Sequence, residues 1–196
     1  PKRDWSSDVC SSDLFSFDEG NSWSNPSPTS PIDDTYGILA GAMYKDTIAI
    51  LSNRLLAPEY SPFNFARSTN LGASWSWTQE SSAVQHASVA LSPGMLHYAS
   101  NDENILPYEI SYRRSTNLGT TWFSTQILST YDAYGSDYPG LGSYTDDSGH
   151  TTLGIAWRDV KYGFCGLLGG GVPFRLSIDN GNEWGDEIPL HNTPCG

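Results

Sequence analysis

The chain has 196 residues and a formal net charge of −12, with 22 acidic side chains against 10 Lys and Arg. So acidic a chain offers no positive surface for a phosphate backbone or an anionic lipid, which excludes nucleic acid and membrane surfaces as expected partners. No apolar run approaches the roughly 20 residues that a membrane helix needs, so no membrane insertion is expected.

The first fourteen residues, Pro1 to Leu14, do not resemble a protein segment. From Asp4 onward they read as the translation of a common short-read sequencing adapter, with Pro1 to Arg3 as index and junction bases. The alternative is a polar leader rich in Ser and Asp. Segments of this kind are set aside in fold reasoning. We therefore expect 1–14 to be an unstructured artefact and the biological sequence to begin at Phe15.

A four-point signature, Ser-x-Asp/Asn-x-Gly-x-x-Trp, recurs along the rest of the chain. Its copies are Ser16, Asp18, Gly20 and Trp23; Ser68, Asn70, Gly72 and Trp75; Ser115, Asn117, Gly119 and Trp122; and Ser177, Asp179, Gly181 and Trp184. At each copy the Asp or Asn oxygen is expected to accept from backbone N–H groups two or three residues on, while Gly supplies a positive φ. We expect these residues to be structural hairpin turns.

Between the signatures the chain repeats a series of short strands. First strands rich in small residues are predicted at 36–43, 86–91 and 138–144; second strands at 47–51, 95–99 and 151–157; and third strands at 63–67, 109–114 and 173–176. Copies spaced by roughly 50 residues suit a four-stranded repeating unit. The sequence predicts an all-β fold, a partial β-propeller of four-stranded antiparallel blades, with a blade remnant at 15–30 and blades at about 31–80, 81–130 and 131–196.

The four signatures resemble the Asp-box, or bacterial neuraminidase repeat, of sialidase-like propellers across 15–196. A second stretch, Ser136 to Gly142 followed by Gly154 to Asp159, resembles the Gly-Asp-Tyr-x-Gly-Leu and Val-Trp-x-Asp segments of secreted bacterial members. The resemblance implies a six-bladed parent, a secreted or cell-surface location, and a carbohydrate ligand. For a true sialidase it implies retaining hydrolysis through a Tyr nucleophile. The early Arg-Ile-Pro motif of sialidases is not found in the chain.

Within such a propeller, a site would be lined by the starts of first strands and the ends of second strands. The candidate catalytic residues are Asp137 as general acid, Tyr138 as nucleophile and Arg158 for a substrate carboxylate; the candidate substrate-binding residues are Asp34, Tyr36, Arg54 and Asp159. A structural interpretation stays open. In it, Asp137 caps a strand, Tyr138 packs in the central channel, and Arg158 and Asp159 bridge neighbouring blades.

Two functional classes follow from the sequence. The first is part of a secreted glycoside hydrolase, an exo-α-sialidase or neuraminidase type of enzyme acting on terminal sialic acid or a related acidic sugar. The alternative is a non-catalytic Asp-box propeller that serves as a glycan-binding or structural module. Neither the scattered histidines nor Cys165 and Cys195 have metal-ligand spacing, so no metal or cofactor is expected. Those two cysteines are free or paired, and we expect them to lie close together because both fall in the last blade.

Overall fold

The structure is a computed structural model that describes residues 12–13, 20–22, 27–28, 36–54, 62–83, 86–102, 107–162 and 170–191. A short antiparallel pair joins β1 (Ser12–Asp13) to β2 (Ser27–Pro28). The rest of 1–14 lies outside the described residues, as do Cys165 and Cys195, so the expectations for both stay predictions. Within the ranges given, no helix is long and apolar enough to span a membrane.

The remaining twelve strands form three four-stranded antiparallel sheets, each with its strands in chain order. Sheet 1 contains β3 (Tyr36–Tyr44), β4 (Thr47–Arg54), β5 (Pro62–Ser68) and β6 (Ser76–Ala83). Sheet 2 contains β7 (Ala87–Ser92), β8 (Met95–Asp102), β9 (Glu109–Ser115) and β10 (Gln126–Ile127). Sheet 3 contains β11 (Ser136–Thr145), β12 (Thr151–Asp159), β13 (Val172–Ser177) and β14 (Ile188–His191). The all-β prediction is confirmed, and so is the order of three strands before each described signature.

The three sheets pack face to face through alternating side chains. Burial alternates along the whole of β12, because one face of sheet 3 lies against sheet 2 and the other does not. Phe65 of sheet 1 meets Tyr98 of sheet 2 edge-on with ring centroids 5.7 Å apart, and Tyr112 of sheet 2 meets Trp184 of sheet 3 at 5.0 Å. Each contact lies in one of two buried clusters, the first shared by sheets 1 and 2 and the second by sheets 2 and 3.

The first strands of the three sheets lie beside one another. β7 contacts β3 on one side and β11 on the other. The Leu141 N–H donates to Ser88 Oγ at 3.0 Å, and Ser143 Oγ donates to the Leu91 carbonyl at 2.7 Å. Small side chains at the start of each unit therefore permit close approach of adjacent sheets, as the sequence predicts.

The signatures form turns with a shared hydrogen-bond pattern. In the second copy, Ser68 Oγ accepts from the Gly72 N–H at 2.8 Å and donates to Asn70 Oδ1 at 2.9 Å. Asn70 Oδ1 accepts from the Ser74 N–H, also at 2.9 Å. The same bonds recur in the third and fourth copies.

In the fourth copy Asp179 Oδ1 accepts from the Asn182 N–H, three residues on, at 3.0 Å, as the sequence predicts. Each described copy also bonds the N–H four residues on, which is further than the prediction. Each described copy has a second left-handed residue: Leu71, Leu118 and Asn180 have φ of 54°, 53° and 59°, each directly before the left-handed Gly. Of the first signature the structure describes Gly20, with φ of 88°, but not Ser16, Asp18 or Trp23.

An arginine directly before a signature links its sheet to the next one. Arg67 Nη1 donates to the Leu118 carbonyl in the turn of sheet 2, and Arg114 Nη1 donates to the Asn180 carbonyl in the turn of sheet 3 at 3.2 Å. The corresponding position of sheet 3 is Leu176, which has no such donor.

Strand register places the signatures and the predicted site at opposite ends of a sheet. In sheet 3, Arg158 pairs with Asp137 at one end of β12, and Leu153 pairs with the signature residue Ser177 towards the other. Five residues at about 3.3 Å each separate the two pairs by roughly 16 Å. The turns therefore do not contribute to that site.

Candidate functional site

Four side chains meet where β11 begins and β12 ends, and we call them the Tyr138 cluster: His86, Asp137, Tyr138 and Arg158. Register pairs Asp137 with Arg158, and the pairing then shifts before Gly140, which makes a bulge. Tyr138 lies in this bulge with φ of 53°, a left-handed conformation that costs a residue with a Cβ on the order of 1–3 kcal/mol. Bulges and strained residues of this kind concentrate at functional sites.

Arg158 and Asp137 form a bidentate ion pair. Arg158 Nε donates to Asp137 Oδ1 at 2.7 Å, and Arg158 Nη2 donates to Asp137 Oδ2 at 2.5 Å. This hydrogen bonding raises the pKa of Arg158 above its ordinary value, and burial opposes it only in part. The guanidinium carbon also lies 5.0 Å from the centre of the Tyr138 ring, within range of a cation–π contact.

His86 brings the neighbouring sheet into the cluster. It lies directly before β7, where its backbone N–H donates to Asn101 Oδ1 at 3.1 Å. Its ring is 3.7 Å from that of Tyr138, centroid to centroid, at an interplanar angle of 38°. Burial lowers the pKa of His86, and the charge of Arg158 lowers it further although Asp137 opposes this. The imidazole is therefore neutral at neutral pH.

The structure brings together all three residues predicted to be catalytic, and of the four predicted to bind substrate it describes the side chain of Asp159 alone. Asp159 is 1% exposed and lies in the interior, where its Oδ1 accepts from the Lys161 N–H at 2.9 Å. Tyr36 and Arg54 pair across β3 and β4 at the matching end of sheet 1, but their side chains lie outside the described residues. Asp34 lies outside them altogether.

A second group of charged side chains, which we call the interior ionic network, consists of Asp132, Asp159, Lys161 and Glu187. It lies between sheet 3 and the residues that follow β10. Lys161 Nζ is 2.6 Å from Glu187 Oε1, 3.3 Å from Asp159 Oδ2 and 3.7 Å from Asp132 Oδ2. Glu187 Oε1 also accepts from the Tyr162 hydroxyl at 2.6 Å. The neighbouring Glu109 is fully buried and bonded to Ser129.

The pKa values of this network and of the neighbouring Glu109 are raised or lowered according to the surroundings of each side chain. Burial raises the pKa of Glu109 and of Asp159, and the hydrogen bonds and positive charge near them offset only part of that effect. At Glu187, hydrogen bonds from Lys161 and Tyr162 outweigh burial and lower its pKa. Burial would likewise lower the pKa of Lys161, but its bond to Glu187 and the charge of Asp159 raise it. Lys161 contacts three carboxylates and Arg175 Nη2 lies 3.9 Å from Glu187 Oε2, so the charges of this network are paired with one another, which is a structural arrangement.

A chain of buried polar groups also connects sheet 2 to the fourth signature. Tyr112 OH lies 2.7 Å from His97 Nδ1, His97 Nε2 lies 2.8 Å from Ser92 Oγ, and Ser92 Oγ donates to Asn180 Oδ1 at 2.9 Å. Burial lowers the pKa of His97 to about 4. The imidazole is therefore neutral, accepting from Tyr112 and donating to Ser92. Every group has a partner, so this chain stabilises the sheet interface and leaves no nucleophile free.

A cavity of about 330 Å³ lies at the signature end of sheets 1 and 2, lined by residues that include Tyr44, Met95 and Leu118. It is at the far end from the Tyr138 cluster and holds none of the predicted site residues. In the portion of the chain that the structure describes, no group of three or more His, Cys, Asp or Glu side chains could hold a metal ion.

No protein-family model matches the chain, and a search of curated proteins finds no match. The Asp-box resemblance therefore stays an expectation from sequence. At the level of architecture, the chain is an all-β protein of three four-stranded antiparallel sheets.

Proposed function

We propose that the three sheets are consecutive blades of a β-propeller belonging to a larger, secreted or cell-surface protein. Three observations support this. Each sheet runs in chain order from a small-residue first strand, the first strands β3, β7 and β11 lie beside one another, and the contact between sheets 1 and 2 is repeated between sheets 2 and 3.

The function we propose is carbohydrate binding at the Tyr138 cluster. The observation that carries it is the strained Tyr138, whose side chain is 55% exposed beside an ion-paired carboxylate and guanidinium where two sheets meet. An exposed aromatic ring provides an apolar surface for the C–H groups of a sugar, and adjacent charged groups bind its hydroxyls. A few convergent polar groups beside an aromatic side chain are characteristic of ligand sites.

Tyr138→Ala tests this proposal, with Tyr144→Ala as its matched control. Tyr144 is on the same strand, 70% exposed, but at the opposite end of β11. We expect Tyr138→Ala to weaken glycan binding by roughly tenfold or more, as loss of an aromatic anchor does, and Tyr144→Ala to leave it unchanged. Isothermal titration calorimetry with the tightest ligand from a glycan array measures both. Equal effects of the two changes would contradict the proposal.

A second candidate is glycoside hydrolysis of the sialidase type, favoured by the meeting of an acid, a phenol and a guanidinium in one cluster. Both oxygens of Asp137 accept from Arg158, which is the arrangement of an ionised carboxylate, so Asp137 must leave this pair before it can donate a proton. Binding is therefore the better supported function.

Hydrolysis is tested with fluorogenic sialosides. If the cluster is catalytic, Asp137→Asn, Tyr138→Phe and Arg158→Ala should each lower the rate by about 10²–10⁴-fold, the usual contribution of a positioned acid–base group. Glycan binding without hydrolysis across a panel of sialosides would exclude the enzyme and leave the binding module.

A further inference from the structure

We propose that the Tyr138 cluster selects an uncharged sugar with adjacent hydroxyl groups over a sugar that carries a carboxylate. This inference rests on the proposed carbohydrate-binding function and departs from the acidic ligand that the family resemblance implies. It follows from how the charges of the cluster are paired.

The cluster has no uncompensated positive charge with which to attract an anion. Arg158 is the cation of the cluster, and two of its nitrogens already bind Asp137. Burial lowers the pKa of His86 by more than the charge of Asp137 raises it, so His86 adds no positive charge at neutral pH. An added carboxylate would lose water and meet the Asp137 carboxylate without a net opposite charge in return, which is unfavourable.

The cation Lys161 of the interior ionic network is itself paired and does not change this balance. Lys161 Nζ is 2.6 Å from Glu187 and 3.3 Å from Asp159. The chain as a whole carries a net charge of −12, so its long-range field also repels an anionic ligand.

The same pairing suits the hydroxyl groups of a neutral sugar. Each Asp137 oxygen accepts one bond from Arg158 and keeps a second lone pair for a hydroxyl donor. Arg158 Nη1 makes no hydrogen bond to the described residues and can donate to an adjacent hydroxyl oxygen. An acceptor and a donor held side by side match two neighbouring hydroxyls, and the exposed surface of Tyr138 meets the C–H groups of the same ring.

The first experiment compares matched glycans on the 196-residue chain, each neutral oligosaccharide against its sialylated counterpart, by glycan array and then by calorimetry. We expect the neutral member of a pair to bind at least about fivefold more tightly, the factor that one unfavourable charge contact near water contributes. Tighter or equal binding of the sialylated member would overturn this inference and leave carbohydrate binding intact. Absence of binding to any glycan would overturn the proposed function itself.

The second experiment changes the charge of the cluster. Asp137→Asn leaves Arg158 uncompensated, so the preference should shift towards the sialylated member by roughly fivefold. Asp147→Asn makes the same charge change in the exposed turn between β11 and β12, at the far end of the sheet, and should leave the preference unchanged. An unchanged preference in Asp137→Asn, or an equal shift in both variants, would contradict the inference. The comparison of the unmodified chain does not depend on either variant.

Discussion

At the scale of single residues, His97 makes the stability of the protein depend on pH. The pKa of His97 is about 4 in the folded chain and has its ordinary value of 6.5 when the chain unfolds. As the pH falls, the unfolded chain therefore takes up the proton first. The stabilisation is fully present above pH 6.5, and on the order of 3 kcal/mol is lost as the pH falls to about 4.

His97→Leu should remove this part of the pH dependence. We expect lower stability at neutral pH, because Tyr112 and Ser92 lose a buried partner, and a flatter profile of unfolding free energy from about pH 7 to about pH 4. Urea denaturation across that range measures it. Substitution of the exposed His150 by Asn should keep the original slope. If His97→Leu and the unmodified chain had parallel profiles, the protonation of His97 would not be linked to folding.

The signature turns allow a test that separates hydrogen bonding from charge. Asp179 Oδ1 accepts from Ser177 Oγ and from the N–H groups of Asn182 and Glu183. Asp179→Ala should lower the free energy of unfolding by roughly 1–3 kcal/mol, the effect of removing an acceptor and leaving its donors unpaired. Asp179→Asn keeps the oxygen, as Asn70 and Asn117 do in the other turns, and should cost much less. Thermal or urea unfolding measures both variants. A similar loss of stability in both would show that the charge of Asp179, and not its acceptor oxygen, stabilises the turn.

At the scale of elements, the interior ionic network holds sheet 3 to the residues that follow β10. Lys161 is the cation that Asp132, Asp159 and Glu187 share, and its side chain is mostly buried. Lys161→Met should therefore cost about 3–5 kcal/mol, because it leaves buried carboxylates without their partner. Lys45→Met, at an exposed turn, is the control and should have a small effect. Equal losses in urea unfolding would contradict a structural role for the network.

The strands and turns could be predicted from sequence because their signals are local. Alternating small and apolar residues set the strands, and the Asp or Asn and Gly of each signature set the turn. Asp137, Tyr138 and Arg158 could also be grouped in advance, since one strand pair carries all three. Their neighbour His86 cannot be predicted in the same way, because it precedes a strand of another sheet and its contact with Tyr138 depends on how the sheets pack.

Side-chain pairing could not be predicted either. Sequence places Arg158 and Asp159 next to each other, but successive residues of a strand point to opposite faces. Arg158 therefore pairs with Asp137, whereas Asp159 is buried beside Lys161. The second left-handed residue of each turn was missed for a related reason, since Leu71 and Leu118 do not favour a positive φ and adopt it because the surrounding hydrogen bonds require it.

At the scale of the whole molecule, sheet 3 has an apolar face turned away from sheet 2. Register places Leu176 opposite Gly154 and Ile188 opposite Phe174, on the face that Leu153 and Ile155 do not share. Leu176 and Ile188 are exposed, and so is Leu190. Large exposed apolar patches promote association.

We therefore expect the isolated chain to self-associate with increasing concentration through this face. Ile188→Lys combined with Leu190→Lys should shift sedimentation velocity profiles towards the monomer, because charge opposes burial of the patch. Tyr131→Lys introduces a lysine at another exposed position and should not do so. A monomer at every concentration would show that the exposed face does not drive association.

The arginines that precede the signatures link the three sheets unequally. Sheets 1 and 2 each donate a hydrogen bond from Arg67 or Arg114 to the following sheet, while sheet 3 receives such a bond and, with Leu176 in that position, donates none. In a series of units coupled to their neighbours, the unit with fewer links opens at a lower free energy. Amide hydrogens of β13, in a sheet with one such link, should therefore exchange with solvent faster than those of β9, in the sheet that both donates and receives one.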